Sequence, residues 1–533
     1  MKRVLFILLF ITATGALFAQ GTLPPYHWAN SYIEYLKLRG HLAQIDLTAR
    51  PFERLQVARA LLDAEPTDPR EAAIYQTLVK EFRPELERLA HHKKHKWAHV
   101  AQKVLQAVGI SCRRTNQPWP LQLGATGWAD YDKLSDRGGF SLRPQAVLTW
   151  GSRFYSYNNF EIFNRAEPEY SGKKFSGLYA RNQQSFMKYS NDWLTVKIGR
   201  DWHQIGAGRT GQLLLSDNSE PFDQYLIRLS RSGLTFSFWG IQLDRRGVKN
   251  NSLRTYSNWA DRFINGHRIS YNWKNRLYLG ASELILYGGP DTEWELGYLN
   301  PFNMYYAYNE NVKGLPANLL YNLDWDAFWH DFEFYGEFLL DDYQIEKKDS
   351  LDLEPNELGI LVGVNWTNPI RVSGLQLNAE YTQVRNRTYN APDNDWEKYL
   401  HRDRVIGYYL GNNFEHYYLA AKYWFRGDLS MRLYASLINQ GEGSVAGEFN
   451  KDYLHFTPEQ GYREPFPFGV VEKSLALGLH LSYVPFSYGA LDFAVERRAY
   501  SNYRHVTGQS HSEWNARVKL WFSWLPTIKS FNQ

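Results

Sequence analysis

From Leu121 to the end of the chain, apolar and polar side chains alternate with a period of two. In the clearest segment, Leu375–Tyr381, apolar side chains alternate with Gln376, Asn378 and Glu380, and in another, apolar side chains at 429, 431, 433, 435 and 437 alternate with Ser430, Arg432, Tyr434 and Ser436. The segments Leu475–Tyr483 and Ala516–Phe522 show the same alternation. A period of two is typical of β-strands whose two faces meet different surroundings. Segments of about ten residues match tilted strands that cross a membrane.

We count about 18 such segments. They begin near residues 121, 140, 152, 176, 192, 223, 233, 265, 276, 318, 332, 356, 373, 414, 428, 471, 488 and 512. Short turns alternate with long loops at 200–222, 244–264, 288–317, 343–355, 386–413, 439–470 and 499–511. Outer-membrane barrels have this asymmetry between their two ends. The sequence therefore predicts an all-β transmembrane antiparallel β-barrel over residues 121–533.

The first part of the chain has the period of helices instead. Apolar residues recur at helical spacing in four segments, which are Ser31–Leu38, Leu55–Leu62, Glu71–Leu89 and Trp97–Val108. We therefore predict an N-terminal α-helical bundle in the periplasm over residues 20–112, followed by a polar, Pro-rich linker at 113–120. The basic run 91–96 allows two interpretations, a contact with anionic sugars or lipids and a solvated surface between helices.

Residues 1–19 predict a cleaved signal peptide. Lys2 and Arg3 precede the apolar run Val4–Ile11, and small residues lead to a cleavage site after Ala19. No later stretch is long and apolar enough for a transmembrane helix. An exported chain of this kind enters a membrane as a barrel, so we expect an outer-membrane location.

Composition narrows the function classes. The 533 residues carry a net charge of +4, which gives no reason to expect nucleic acid as a partner. A mean hydropathy of −0.51 with 16% aromatic residues suits a barrel or a secreted carbohydrate-binding protein, and is too polar for a bundle of membrane helices. The single cysteine, Cys112, rules out an intramolecular disulfide and a cysteine metal cluster. We expect no cofactor and no metal.

The segment Gly199–Leu215, G-R-D-W-H-Q-I-G-A-G-R-T-G-Q-L-L-L, concentrates polar groups and glycines between two predicted strands. The candidate polysaccharide contacts in it are Arg200, Asp201, Trp202, His203 and Arg209. Arginine forks bind uronate or phosphate groups, and a tryptophan stacks on a sugar face. The alternative is structural, with an Arg200–Asp201 ion pair that folds the loop into the lumen.

A second Gly/Pro-rich segment follows at 288–317. It and the strand before it supply further candidates, Glu283, Glu295, Tyr298 and Asn300, together with Glu293 and Asn303. Two carboxylates at a suitable separation hydrolyse glycosidic bonds, but carboxylates are also ordinary in a barrel lumen, and we assign no catalytic residue. The tyrosines at 298, 305, 306 and 308 suit either a sugar-stacking platform or an aromatic girdle. Both Gly199–Leu215 and 288–317 suit loops that fill the lumen.

Two resemblances to known families follow from these motifs. The segment His27–Leu62, with H-W-A, Y-I-E-Y-L and R-x-x-V-A-R-A-L, resembles one S-layer-homology module. Such modules bind cell-wall polymers; the alternative is a helical hairpin that plugs or caps the barrel. The barrel region resembles the Wzi-type capsule-assembly family through three motifs, G-R-D-W-H-Q-I-G-A-G-R-T-G at 199–211, S-E-L-I-L-Y-G-G at 282–289 and E-L-G-Y-L-N-P-F-N at 295–303.

The Wzi-type resemblance implies an eighteen-stranded outer-membrane barrel with periplasmic helices and a largely closed lumen. It implies a lectin that helps to attach capsular or other surface polysaccharide. The first alternative is a diffusion pore for sugars or small anions, and the second is a membrane-embedded glycan hydrolase. The expected partners are surface or capsular polysaccharide, outer-membrane lipid and, for the helices, a periplasmic cell-wall polymer. We expect a monomer.

Overall fold

The computed structural model describes residues 21–91, 98–107, 121–150, 153–166, 170, 172–248, 259–313, 315–343 and 353–524. The predicted signal peptide, most of the basic run at 91–96, Cys112 and the linker at 113–120 lie outside the described residues.

Eighteen long antiparallel strands form a closed barrel, which confirms the predicted fold class. Strand β18 pairs with β1, so that Val518 stands opposite Tyr131 and the sheet has no free edge. The strands are β1 Leu121–Asp132, β2 Arg137–Trp150, β3 Phe154–Phe163, β4 Tyr179–Ser190, β5 Leu194–Asp201, β6 Phe222–Arg231, β7 Leu234–Gln242, β8 Trp259–Trp273, β9 Leu277–Pro290, β10 Ala317–Trp329, β11 Phe332–Asp342, β12 Glu357–Thr367, β13 Leu375–Val384, β14 Phe414–Arg426, β15 Leu429–Gln440, β16 Glu472–Phe486, β17 Gly489–Ser501 and β18 Ser510–Trp524.

The alternation seen in the sequence separates an apolar outer face from a mixed inner face. On β16, Leu475 and Leu477 point outward and are exposed, whereas Ser474 and Ala476 point inward and are buried. Such a belt of exposed apolar residues suits contact with membrane lipid. Within the described part of the chain, none of the helices has the length and apolarity that a membrane-spanning helix requires.

The two ends of the barrel differ. At one end, which we call the turn end, the longest connection covers only 368–374. At the other, which we call the loop end, long connections such as 202–221, 291–316, 385–413 and 441–471 join the strands. The prediction of this asymmetry is therefore correct.

Five helices occupy the mouth of the turn end. They are α1 Ala29–Leu38, α2 Arg54–Leu62, α3 Pro69–Glu81, α4 Arg83–His91 and α5 Ala98–Ala107. Their apolar faces share one core with inward side chains of the barrel, including Trp424 and Trp521. The ring of Tyr32 stands edge-on to Trp424 at 4.6 Å between centroids. The helical segment is thus packed into the barrel mouth.

The prediction of one helix over Glu71–Leu89 is wrong in one respect, because the structure divides it at Phe82. The apolar spacing continues across the division, which explains the error. Pro84 lacks a backbone N–H and cannot continue the hydrogen-bond ladder of α3, so a new helix begins at Arg83. The start of α3 is capped as its sequence suggests, since the Asp68 carboxylate accepts the backbone N–H of Arg70 at 2.8 Å.

Candidate functional site

The connection 202–221, which we call the plug loop, folds into the lumen. Two inward carboxylates of the barrel wall hold it by its backbone. Glu337 accepts the N–H groups of Gly208 and Leu213, each at 2.8 Å, and Glu380 accepts the N–H of Arg209 at 2.7 Å. A buried N–H group is costly to leave without an acceptor, so these contacts fix the shape of the loop.

Arg209 lies buried at the centre of this arrangement. Its guanidinium pairs with Glu333, lies 3.6 Å from Asp326 and stacks over Tyr335 at 4.7 Å from the ring centroid. Burial alone would lower the pKa of Arg209, but the surrounding carboxylates raise it, so the side chain stays charged. Arg209 thus serves to fix the plug loop.

The plug loop meets the N-terminal segment inside the barrel. Residues Ala49–Arg50 form a two-residue antiparallel ladder with Gln204–Ile205, and the N–H of Gly206 donates to the carbonyl of Thr48 at 2.9 Å. At Gly206, φ is +140°, and a Cβ atom would lie 2.4 Å from the Glu337 carboxylate. Only glycine fits this close approach. Along one side of the barrel, the lumen is therefore filled by the plug loop from the loop end and by the N-terminal segment from the turn end.

The alternative of an Arg200–Asp201 ion pair is wrong. Strand β5 extends to Asp201, and neighbouring residues of a strand point to opposite faces. Arg200 faces outward and pairs with Asp223 at 2.5 Å. Asp201 faces the lumen and pairs with Lys197 at 2.7 Å.

Trp202 and His203 are buried at the start of the plug loop. The ring of His203 stands edge-on to Trp239 at 5.1 Å between centroids. Burial, together with the positive charge of Lys197, holds the pKa of His203 well below its usual range. The two side chains pack against protein rather than against solvent.

The second group of predicted residues lies on the outside of the barrel. Glu283 is on the outer face of β9, and its carboxylate pairs with His267 at 3.1 Å. The loop 291–313, which we call the outer-wall loop, covers this pair and buries Tyr298. Asn300 is exposed on the loop, and Glu295 accepts the Tyr308 hydroxyl at 3.0 Å. The prediction that 288–317 fills the lumen is therefore wrong.

Beside the plug loop, a chamber of about 430 Å³ remains open inside the barrel. We call it the lumen chamber. Its floor is α1, one side is the plug loop, and the rest is formed by inward side chains of β12–β15 and β17. Tyr409, from the connection 385–413, borders it and is 44% exposed. Its volume is within the range of ligand-binding pockets.

Aromatic rings are held firmly in the lumen chamber. Tyr418 and Tyr434 lie side by side on neighbouring strands, 6.0 Å apart between centroids with 28° between their planes. The hydroxyl of Tyr434 donates to Glu496 at 2.6 Å. The ring of His416 is fixed at both nitrogens, by the Tyr408 hydroxyl at 2.7 Å and the Ser436 hydroxyl at 2.8 Å. The aromatic surface is therefore formed before any ligand arrives.

The lumen chamber has more positive than negative charge. Its lining carries four cationic side chains, Arg209, Lys422, Arg432 and Arg498, against two carboxylates, Glu34 and Glu496. Arg498 pairs with Glu496 at 3.0 Å. Within the described ranges, Arg432 and Lys422 have no carboxylate partner, although each lies over an aromatic ring. Arg432 therefore remains available to an anionic group.

The sequence interpretation missed the lumen chamber. Its signal was present in the alternation of β14 and β15, where Tyr418, Arg432 and Tyr434 occupy inward positions of strands whose outward positions are mostly apolar. Within the described residues, no group of three or more His, Cys, Asp or Glu side chains is arranged to hold a metal ion.

Comparison with known proteins places this barrel in a family. The family model of the capsule assembly protein Wzi matches residues 117–511. The chain belongs to the Wzi capsule-assembly family. This match confirms the predicted resemblance of the barrel region, and together with the closed barrel and its apolar belt it places the protein in the outer membrane. No curated protein sequence matches the chain.

A solved structure shows the same fold. Wzi of Escherichia coli, an outer membrane protein involved in group 1 capsule assembly and a carbohydrate binding β-barrel, is similar with 14% identity and a TM-score of 0.58, covering 95% of this chain and 99% of that one. OccD3 of Pseudomonas aeruginosa is similar with 10% identity and a TM-score of 0.43, covering 76% and 91%. The outer membrane protein OprD of the same species has 9% identity and a TM-score of 0.42, covering 77% and 94%.

Proposed function

We propose that this Wzi-family protein binds a surface polysaccharide in the lumen chamber and helps to attach or assemble it at the cell surface, without catalysing a reaction. The proposal is supported by family membership and by the carbohydrate binding ascribed to E. coli Wzi. The observation that carries it is the lumen chamber itself, where fixed tyrosine rings stand beside cations that have no carboxylate partner.

The chemistry of the lumen chamber suits a sugar chain. The faces of Tyr418 and Tyr434 offer flat apolar surface to sugar rings, and Asn378 and Gln376 offer amide groups for hydroxyls. Arg432 supplies fork-shaped donors that match carboxylate and phosphate groups. A polysaccharide with acidic substituents satisfies both requirements.

The orientation of the barrel supports capture from outside the cell. In outer-membrane barrels the long loops are extracellular and the short turns are periplasmic. We therefore propose that Tyr409 lies toward the cell surface and that the helices lie in the periplasm. There, the segment that resembles an S-layer-homology module has fully buried apolar residues, including Ile33, Leu36 and Leu61. We propose that it closes the barrel mouth rather than binding a cell-wall polymer.

A diffusion pore receives little support from this geometry. The plug loop and the segment around Ala49–Arg50 meet within the lumen, and α1 forms the floor of the lumen chamber. A solute that enters from the loop end therefore meets protein before the periplasm. Glycan hydrolysis receives no support from the carboxylates that the sequence suggested for it, since Glu283 and Glu295 lie on the outer wall, each bound to neighbouring side chains.

The direct test uses detergent-solubilised protein and polysaccharide purified from the surface of the native host. We compare wild type with Arg432→Ala and with a matched control, Arg497→Ala, which removes an arginine from the outer face of β17. We expect saturable binding that weakens about tenfold in Arg432→Ala, a loss of about 1.4 kcal/mol, and that added salt reduces. Equal affinity in both variants, or no binding by wild type, contradicts the proposal.

A further inference from the structure

The outer-wall loop, residues 291–313, leaves the loop end and turns back along the outside of the barrel. On β8, Ile269 is exposed on the outer face, and alternation places Phe263 and His267 on that same face. The ring of Trp294 packs on Phe263, and the ring of Tyr305 packs on His267, each at 4.7 Å between centroids. The loop is therefore attached to the face that barrels of this class present to lipid.

Polar groups of the barrel wall are buried beneath this loop. The Glu283 carboxylate lies 3.1 Å from the His267 ring nitrogen and accepts the Tyr321 hydroxyl and the backbone N–H of Tyr306, each at 3.1 Å. Nearby, Asn265 donates to the hydroxyl of Tyr225 at 2.9 Å. Polar groups on a lipid-facing wall are costly unless they are paired and covered, and the loop provides the cover.

The loop descends to the height of the apolar belt. Phe302 stacks on Phe236 at 5.7 Å, with 8° between the ring planes. Phe236 pairs with Ile269, which lies close to the turn-end residue Trp273 of β8. With a rise of about 3.3 Å per residue and a tilt of about 40°, Phe302 lies roughly 10 Å above the turn end, within a belt about 25 Å high.

Between Leu296 and Met304, the outward surface of the loop is mostly apolar and continues the belt. Leu296, Phe302 and Met304 are 79%, 81% and 65% exposed. The wall strands beside them expose further apolar side chains, including Leu229 and Leu279. Exposed apolar groups of this size are unusual on a face that meets water, whereas they match the surface that the rest of the belt presents to hydrocarbon.

We infer that the outer-wall loop lies within the membrane beside the barrel, where Leu296, Phe302 and Met304 contact lipid acyl chains. The loop thereby adds a second layer of protein to one sector of the wall and separates the His267–Glu283 pair from hydrocarbon. The occupant of the apolar surface is lipid, because that surface is continuous with the lipid-facing belt of strands β6–β10.

The test measures the surroundings of nitroxide labels on the protein in vesicles of phosphatidylcholine and phosphatidylglycerol. Single cysteines are introduced in a Cys112→Ser background by Phe302→Cys and Met304→Cys. Ile269→Cys reports the lipid-facing wall. Leu454→Cys is the matched aqueous control, because Leu454 is 65% exposed on the connection 441–471. Each label is exposed to oxygen, which concentrates in hydrocarbon, and to a water-soluble nickel complex.

We expect the ratio of oxygen to nickel relaxation at Phe302 and Met304 to equal that at Ile269 and to exceed that at Leu454 several-fold. A ratio equal to that at Leu454 places the loop in water and overturns the inference. Spin–spin broadening between two labelled chains at Phe302 means that a second copy covers the surface, which also overturns it. Heat-modifiable migration on gels verifies that each variant is folded. If one of the two loop variants fails to fold, the label at the other position, 302 or 304, decides the outcome.

Discussion

Removing the carboxylate of Glu337 tests how the plug loop is held. In Glu337→Ala, the N–H groups of Gly208 and Leu213 lose their acceptor, which stands 2.8 Å from each in the wild type. A buried N–H group that loses its acceptor costs about 1–3 kcal/mol, so the two contacts together contribute about 2–6 kcal/mol to the closed loop. Water that enters the vacated space offsets part of this loss, so the lower end of the range applies.

A loss of about 2 kcal/mol raises the open-to-closed ratio of the loop about thirtyfold. Hydrogen–deuterium exchange of a peptide covering the plug loop measures this ratio, because local opening governs amide exchange. Glu337→Gln retains one acceptor oxygen and should give an intermediate rate. The matched control is Glu472→Ala, since Glu472 also accepts a backbone N–H, from Arg504, but at the loop end outside the plug.

If the plug-loop amides of Glu337→Ala exchange no faster than those of Glu472→Ala, the carboxylate does not hold the loop and this reasoning is refuted. If the amides of the whole barrel exchange faster, the substitution has destabilised the fold, and Glu337→Gln then becomes the deciding variant.

Three further results follow from the structure. Purified wild-type protein should give no steady conductance in a planar bilayer, because the plug loop and the helices obstruct the lumen; stable channel steps would contradict this. Arg39→Ala should make the helices easier for a protease to cut, because Arg39 pairs with Glu71 at 2.6 Å and with Asp331. These pairs contribute about 1–3 kcal/mol to the docking of the helices on the barrel. Arg83→Ala, which removes an exposed pair, should leave the cutting rate unchanged. In the unfolded chain, His203 binds a proton below about pH 6.5. In the folded protein its pKa is lowered, so it stays neutral there. The free energy of unfolding therefore decreases as the pH falls below about 6.5. The melting temperature should therefore fall less between about pH 7.5 and pH 5.5 in His203→Gln than in wild type.

The strands were predictable because one face of most of them meets lipid and the other meets polar lumen groups. The exception is β8, which begins at Trp259 rather than near residue 265. At its start, Phe263 lies beneath the outer-wall loop and Ile264 beneath the plug loop, so both faces are buried and apolar. Alternation then disappears, and with it the signal that marks a strand.

The residues of the proposed binding site were harder to predict because they are assembled from distant parts of the chain. The lumen chamber draws Glu34 from α1, Arg432 from β15 and Arg498 from β17, and no short motif contains them. Sequence proximity misled the interpretation of Arg200 and Asp201, because adjacent strand residues face opposite sides of the wall. The motif around them marks the plug loop, whose partners Glu337 and Glu380 lie far along the chain.

The most direct test of polysaccharide binding in the lumen chamber compares two neighbouring tyrosines of β14. Tyr418 faces the chamber, and Tyr417 faces outward and is 43% exposed. Affinity for purified surface polysaccharide is measured for wild type, Tyr418→Ala and Tyr417→Ala. We predict that Tyr418→Ala weakens binding about tenfold or more, while Tyr417→Ala binds as wild type does. Equal affinities in the two variants, or no binding by the wild type, would contradict the account.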